Sequence, residues 1–244
     1  MPPLRQTTAT RTRYSSHCPM LYLAVLAADA KLAQVAEGAF KAAGKKVAQW
    51  TLGNNPVIGD AAVAVITVPP TDLTAEQLYH QSGEMGRSLR ALAPHVAFFI
   101  LIDGRLRGPI DALTGGLMDA LSCNAVIAPA DPVHGRTIVG GRLHEGGTLV
   151  ADRANLLGEL LGEYAGPGHM HAVPVEAACE NRASLRREID RRFHDGAWLV
   201  VVDADTLECL ANIACVWWGD APGFILVGSQ GLFGEVVQRL LTPC

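Results

Sequence analysis

A chain of 244 residues, 49% of them hydrophobic, carries enough apolar side chain to bury a full α/β core without a partner. A formal net charge of −4 and a sequence pI of about 6.0 exclude a globally basic surface for nucleic acid or anionic membrane, so any anion site must be local. No apolar run approaches the roughly 20 residues of a membrane span, and six cysteines without a C-x-x-C pair imply a reduced, cytoplasmic protein.

Residues 1–19 contain Arg5, Arg11 and Arg13, no acid, and no apolar core of the kind a secretory signal requires. They read as a disordered leader. The same composition also fits a targeting or secretion signal, and a true start at Met20 is the third reading. Leu21 to Leu26 predicts a strand, and Ala30 to Ala43 a helix closed by Gly44, with Asp29 at the junction. Gly38 to Lys46 imitates a phosphate loop, but it has one spacer too many, lacks the Ser or Thr after the lysine, and begins inside a helix. It is rejected as a nucleotide site. Lys45 to Trp50 and Ala62 to Thr67 predict strands, the second ended by Pro69-Pro70. Thr74 to Leu92 predicts an amphipathic helix capped by Thr71, Asp72 or Thr74.

Val96 to Ile102 is continuously apolar, as in a strand buried on both faces, which puts Asp103 at a strand's carboxyl end. Gly108 and Pro109 start a helix whose Ile110, Leu113, Leu117 and Leu121 recur at helical spacing. Arg105 and Arg107 stand just ahead of that helix's free amides, an anion site in outline. A second apolar run, Ala125 to Ala128, ends in a proline-rich loop holding Asp131, His134 and the triplet Gly135-Arg136-Thr137. In an open parallel sheet the carboxyl edge is where ligands bind.

Gly146-Gly147 marks a turn, and Asp152 to Tyr164 predicts a helix. His169-Met170-His171 reads as a plain loop, so no metal site is assigned. Asn181 to Phe193 is a charged helix with a solvated face, and Trp198 to Val202 a buried strand ending at Asp203-Ala204-Asp205. Phe224 to Val227 predicts the last strand. After it, Gly228-Ser229-Gln230-Gly231-Leu232 has the wrong glycine spacing for a dinucleotide fingerprint, and Gly228 and Ser229 instead present a helix N-terminus to the cleft. Strand and helix signals alternate throughout, which predicts a single α/β domain over residues 20–244, three-layered and doubly wound on a mainly parallel sheet.

Three of these stretches resemble a known family. Asp103-Gly104-Arg105-Leu106-Arg107-Gly108 is similar to the Asp-Ser-Thr-Leu-Arg-Gly of the four-carbon acid sugar kinases. Ala128-Pro129-Ala130-Asp131-Pro132, followed by Gly135-Arg136-Thr137 and Gly141, is similar to their Ala-Pro-Ala-Phe-Pro loop running into Gly-Arg-Thr and a further Gly. Gly228-Ser229-Gln230-Gly231-Leu232 likewise resembles their Gly-Ser-Ala-Gly-Leu. The resemblance implies a sugar-acid-binding domain followed by an ATP-binding domain, and only the first corresponds to this chain. It implies Arg136, Arg107 and Gly108 around a substrate carboxylate, with Asp103, Arg105, His134, Gly135, Gly228 and Ser229 beside them. Asp29 or Asp103 would then stand near the attacking hydroxyl. No cofactor is expected in this chain; Mg-ATP would come from a separate domain or subunit, so the isolated chain is expected to be catalytically incomplete.

Where members read Ala-Asp-Asp-Leu-Thr-Gly-Ala, Ala28-Asp29-Ala30-Lys31-Leu32-Ala33 keeps only the second aspartate, and Pro69-Pro70 stands in place of a Ser-Arg pair. Lys31 and Arg105 add positive charge, which points to a small anionic sugar acid or its phosphate as ligand. The same departures carry the alternative, a degenerate non-catalytic module that regulates or binds a protein partner, or acts as a secreted effector.

Overall fold

The computed structural model describes residues 21–70, 73–150, 168–219 and 223–242. The predicted leader and the predicted helix at Asp152 to Tyr164 lie outside them, as do Thr71 and Asp72. The elements run β1 (Leu23–Ala27), α1 (Ala30–Ala42), β2 (Val47–Thr51), β3 (Val63–Thr67), α2 (Ala75–Leu92), β4 (Ala97–Leu101), α3 (Ile110–Leu121) and β5 (Asn124–Ala128). There follow β6 (Arg136–Val139), β7 (Arg142–Glu145), β8 (Thr148–Leu149), β9 (Met170–Val173), α4 (Val175–Glu180), α5 (Arg182–His194), β10 (Leu199–Val202), α6 (Leu207–Gly219), β11 (Phe224–Gly228) and α7 (Gln230–Leu241). No described helix is long and apolar enough to cross a membrane.

Eight strands form one parallel sheet in the order β2-β3-β1-β4-β11-β5-β10-β9. The central strands β1, β4 and β11 are buried at every position, which is why their sequences are apolar runs without alternation. Each buried Leu, Val or Ile contributes about 1.5–3 kcal/mol, so the sheet's interior is the main source of stability. Helices α2 and α3 pack together, while α1, α5, α6 and α7 form a second contiguous layer. Phe99 of β4 meets Trp217 of α6 and Phe233 of α7 at centroid distances of 6.0 and 5.6 Å, and Phe233 meets Phe40 of α1 at 5.3 Å. The fold is therefore α/β with helices on both faces, as the alternation of elements predicts.

Helix α2 starts with a capping box: Thr74 accepts from the Gln77 amide and the Gln77 side chain accepts from the Thr74 amide. Two expectations are corrected. His169 to His171 is not a plain loop, because Met170–Val173 is the edge strand β9, paired with β10, and His169 stacks on Trp198 at 4.1 Å. The cysteines are not all free thiols, because Cys179 and Cys209 are joined by a disulfide.

The register places the site. Thr67, Ala27, Leu101, Gly228 and Ala128 are aligned across β3, β1, β4, β11 and β5, so five strands end in one row. From β1 the chain runs outward to β2, and from β4 it runs the other way to β5. The crevice that opens where neighbouring strands diverge lies beyond the tips of β1 and β4.

Candidate functional site

Asp103 follows β4 after the single residue Ile102, and the turn after it is built around Leu106. The Leu106 amide donates to the Asp103 carbonyl at 2.8 Å, and Leu106 adopts φ 57° while 1% exposed. A left-handed leucine costs of order 1 kcal/mol, and burial of its side chain offsets that cost. With Leu106 turned inward, Arg105 and Arg107 on either side are thrown out to the surface. Gly108 follows at φ 104°, where a side chain would be strained. Pro109, expected within the first turn, is instead the N-cap of α3, and no side chain caps that turn.

The second arm comes from β5. Asp131 and Arg136 exchange backbone hydrogen bonds of 2.8 and 3.0 Å, closing a loop around a 3₁₀ turn at Pro132–His134 and Gly135 at φ 71°. His134 Nδ1 lies 2.7 Å from Asp131 Oδ2, and Arg136 Nη1 3.6 Å from the same oxygen. Gly104 joins the two arms: a Cβ there would stand 3.2 Å from Arg136 Nη1. Asp103, Arg105, Arg107, His134, Gly135 and Arg136 thus lie on the two neighbouring loops that build one cluster.

The arginines are not vacant cations. Arg107 Nε donates to Asp103, Arg105 Nη2 donates to Glu145 Oε1 at 3.2 Å, and Arg136 Nε donates to the same Glu145 oxygen at 3.3 Å. Arg105 and Arg136 therefore bridge a single carboxylate. Both guanidiniums hold the Glu145 carboxyl below the usual range. Burial pushes Asp103 up, but its bonds to Arg107 and to the Arg105 amide, with the charges of Arg107 and Arg136, leave it lowered overall. A lowered folded value contributes stability that is present above the unfolded value near 4 and is lost as pH falls through the folded one. Asp103→Asn is expected to flatten the acid limb of a Tm-versus-pH curve. An acid limb identical to the wild type would refute that.

The hairpin carrying Arg136 and Glu145 is a separate three-stranded antiparallel sheet, β6-β7-β8. Gly140 and Gly141 form its two-residue turn at φ 60° and 71°. Both amides donate to the carboxylate of Asp203, just beyond β10, and Ile138 forms a bridge with Ala204. Asp203 is thereby the clamp that sets the hairpin over the strand tips.

The remaining predicted residues divide. Asp29 sits at the tip of β1, where the next amide inward, that of Ala28, donates to the Leu101 carbonyl at 3.0 Å; one Asp29 oxygen caps α1 by accepting from the Leu32 amide at 2.8 Å. It is one strand away from the arginine cluster and exposed. Ser229 does not face the cleft: it is fully buried, its hydroxyl donates to the Ala130 carbonyl and accepts from the Gly231 amide. Gly228 is a packing residue, since a Cβ there would meet Leu232 Cδ2 at 2.5 Å and the Ala128 carbonyl at 3.1 Å. Ser229 and Gly228 therefore lock the β11 tip against β5, and the Ser229 hydroxyl is engaged within the fold.

Sequence reasoning missed Glu145 and Asp203 as site residues. The Gly140-Gly141 pair between Thr137-Ile138-Val139 and Arg142-Leu143 is a hairpin signal that puts Glu145 opposite Arg136. A cavity of about 270 Å³ lined by Met118, Asp119, Ser122, Cys123, Asn124 and Trp198 lies at the opposite, amino-terminal edge of the sheet. Burial pushes its Cys123 thiol up to about 11, so no chemistry is assigned there.

The profile of a family described as the sugar-binding N-terminal domain matches residues 23–236. D-threonate kinase of Cupriavidus necator is 34% identical over 152 residues, covering 59% of this chain and 35% of that enzyme. A Bordetella bronchiseptica protein solved with bound citrate as a domain-swapped dimer superposes with a TM-score of 0.73 at 24% identity, over 90% of this chain and 56% of that one. A Haemophilus influenzae protein superposes with a TM-score of 0.75 at 21% identity, over 89% and 56%. The chain thus spans about a third of the kinase and little more than half of the solved relatives.

Proposed function

We propose that this chain, which belongs to the sugar-binding N-terminal domain family of the four-carbon acid sugar kinases, binds a small sugar acid or its phosphate at the carboxyl edge of β1, β4 and β5. The observation that carries the reading is the bridging of one carboxylate oxygen by Arg105 and Arg136. Two guanidiniums converging on one oxygen are arranged to take a carboxylate, and an entering ligand acid would take the place of Glu145. The hydroxyls of the acid would then extend across β4 towards Asp103 and Asp29.

No step of phosphoryl transfer is assigned to this chain. Gly38 to Lys46 belongs to the second half of α1 and the turn after it, so its glycines and lysines build no phosphate loop. Mg-ATP would be held by a separate domain or subunit, which is the partner this reading requires. The second reading, a regulatory or protein-binding module, is favoured by the carboxylates already paired with Arg105, Arg107 and Arg136.

The test is a thermal-shift screen with D-threonate, other four-carbon acids and their phosphates. A ligand at 100 times its Kd adds about 2.7 kcal/mol of stability. Arg136→Ala is expected to weaken binding at least tenfold, and Glu145→Gln to strengthen it by removing the internal competitor. No shift with any acid would reject the site and leave the second reading standing; undiminished binding by Arg136→Ala would reject the residue assignment.

A further inference from the structure

We propose that Cys179 and Cys209 are a reversible dithiol/disulfide pair, a redox-modification site whose state sets how firmly the β6–β7 hairpin is held over the carboxyl edge. Their Cα atoms are 4.5 Å apart, within disulfide range without backbone movement. Cys179 is half-buried near the end of α4, and Cys209 is fully buried in the first turn of α6. The surroundings suit the reduced pair as well as the oxidised one. Asp205 Oδ1 lies 3.7 Å from Cys179 Sγ and 3.4 Å from Cys209 Sγ, and Thr206 Oγ1 lies 3.0 Å from Cys209 Sγ. A permanent disulfide needs no hydrogen-bond acceptor, whereas two thiols would each find one here.

Asp205 and Thr206 belong to the same four-residue segment, 203–206, that grips the hairpin on its other side. Asp203 receives the Gly140 and Gly141 amides, and Ala204 pairs with Ile138. Closing the disulfide ties α4 to the start of α6 and stiffens this segment between two anchors. Opening it removes the covalent tie and leaves the segment held by hydrogen bonds: the hairpin amides on Asp203, the Asp203 amide on the Val173 carbonyl at 2.9 Å, and Asn212 on the Ala178 carbonyl at 3.1 Å.

The oxidant is a low-molecular-weight disulfide such as oxidised glutathione. The Cys179 thiolate, at the accessible position, attacks one of its sulfurs and releases one thiol. The Cys209 thiolate then attacks Cys179 Sγ in the mixed disulfide and releases the second thiol. Two protein thiols thereby lose two electrons and two protons, and the small disulfide is reduced to two thiols.

The full chain is equilibrated in buffers of graded reduced-to-oxidised glutathione ratio, with no sugar acid present, so the result stands apart from the proposed ligand. Non-reducing peptide mapping follows the Cys179–Cys209 link, and hydrogen exchange follows the Gly140 and Gly141 amides. The expected result is a link that titrates as a two-electron couple, with both amides exchanging severalfold faster in the reduced protein. Cys179→Ser and Cys209→Ser should hold the faster pattern in every buffer. Three results would each overturn the proposal: a link that never forms or never opens, amide exchange indifferent to the link, or stoichiometric zinc held by both thiols with Asp205, whose ligand atoms lie within 4.8 Å of one another.

Discussion

Gly116→Ala is expected to destabilise the protein by roughly 3 kcal/mol, within the range for overpacking a rigid contact. Helices α2 and α3 approach so closely that a Cβ on Gly116 would lie 2.1 Å from the Tyr79 carbonyl and 2.2 Å from Ser82 Oγ. The contact is reciprocal, since a Cβ on Gly83 would lie 2.9 Å from the Gly116 carbonyl and one on Gly86 2.6 Å from Leu117 Cδ2. Because the obstructing atom is backbone, no rotamer change relieves the clash and the helices must separate. That separation would pull Leu113 and Leu117 of α3 and Leu89 of α2, all fully buried, from their packing. For a chain of this size the loss corresponds to a fall in Tm of about 6–12 °C. Gly38→Ala is the control: it lies in α1 with nothing within 4 Å of where its methyl would stand, and it should gain up to about 1 kcal/mol. Equal stability of Gly116→Ala and wild type in urea would show that the helix pair can yield.

The second large effect is expected at Asp203. It is 2% exposed, and its carboxylate accepts the Gly141 amide at 2.9 Å and the Gly140 amide beside it. Truncation to alanine removes two bonds to a charged acceptor and should cost about 2 kcal/mol, with the hairpin loosened before the sheet. Burial pushes the Asp203 carboxyl up, with the nearby Glu176 adding to it, against the opposing Gly141 and Gly140 amides and His144. A raised folded value contributes stability that is full below the unfolded value near 4 and is lost as pH rises through the folded value. The stability gap between wild type and Asp203→Asn should therefore narrow as pH rises across that window. A gap that widens would mean the two amides outweigh burial.

Both effects sit at positions whose importance the chain's pattern conceals. Gly116 is one of two consecutive glycines in a helical run, where propensity alone reads a weakness. Asp203 is a strand-end aspartate like Asp103, and nothing local distinguishes the clamp from the surface ion pair. The same applies to Glu145, which becomes a site residue only because the β6–β7 turn folds it opposite Arg136. Ser229 shows the reverse: a hydroxyl at a helix start has the look of a ligand contact, yet the Ala130 carbonyl and the Gly231 amide occupy it.

The type and order of the elements are legible in the chain itself. Apolar runs such as Ala97 to Leu101 demand burial on both faces, the Thr74 to Gln77 capping box starts a helix, and the alternation of strand and helix leads to a parallel sheet. The position of Asp103 just past a strand end, and of Arg136 in the motif that follows the β5 tip, is legible in the same way. The neighbours of each strand are not: β11, the last, inserts between β4 and β5, and a strand buried on both faces carries no mark of what lies beside it. Folding of the whole chain also pairs Arg105 and Arg136 through Glu145, and brings Cys179 to Cys209 across 30 residues. Local preferences act over a few residues, whereas those contacts depend on the path of the entire backbone.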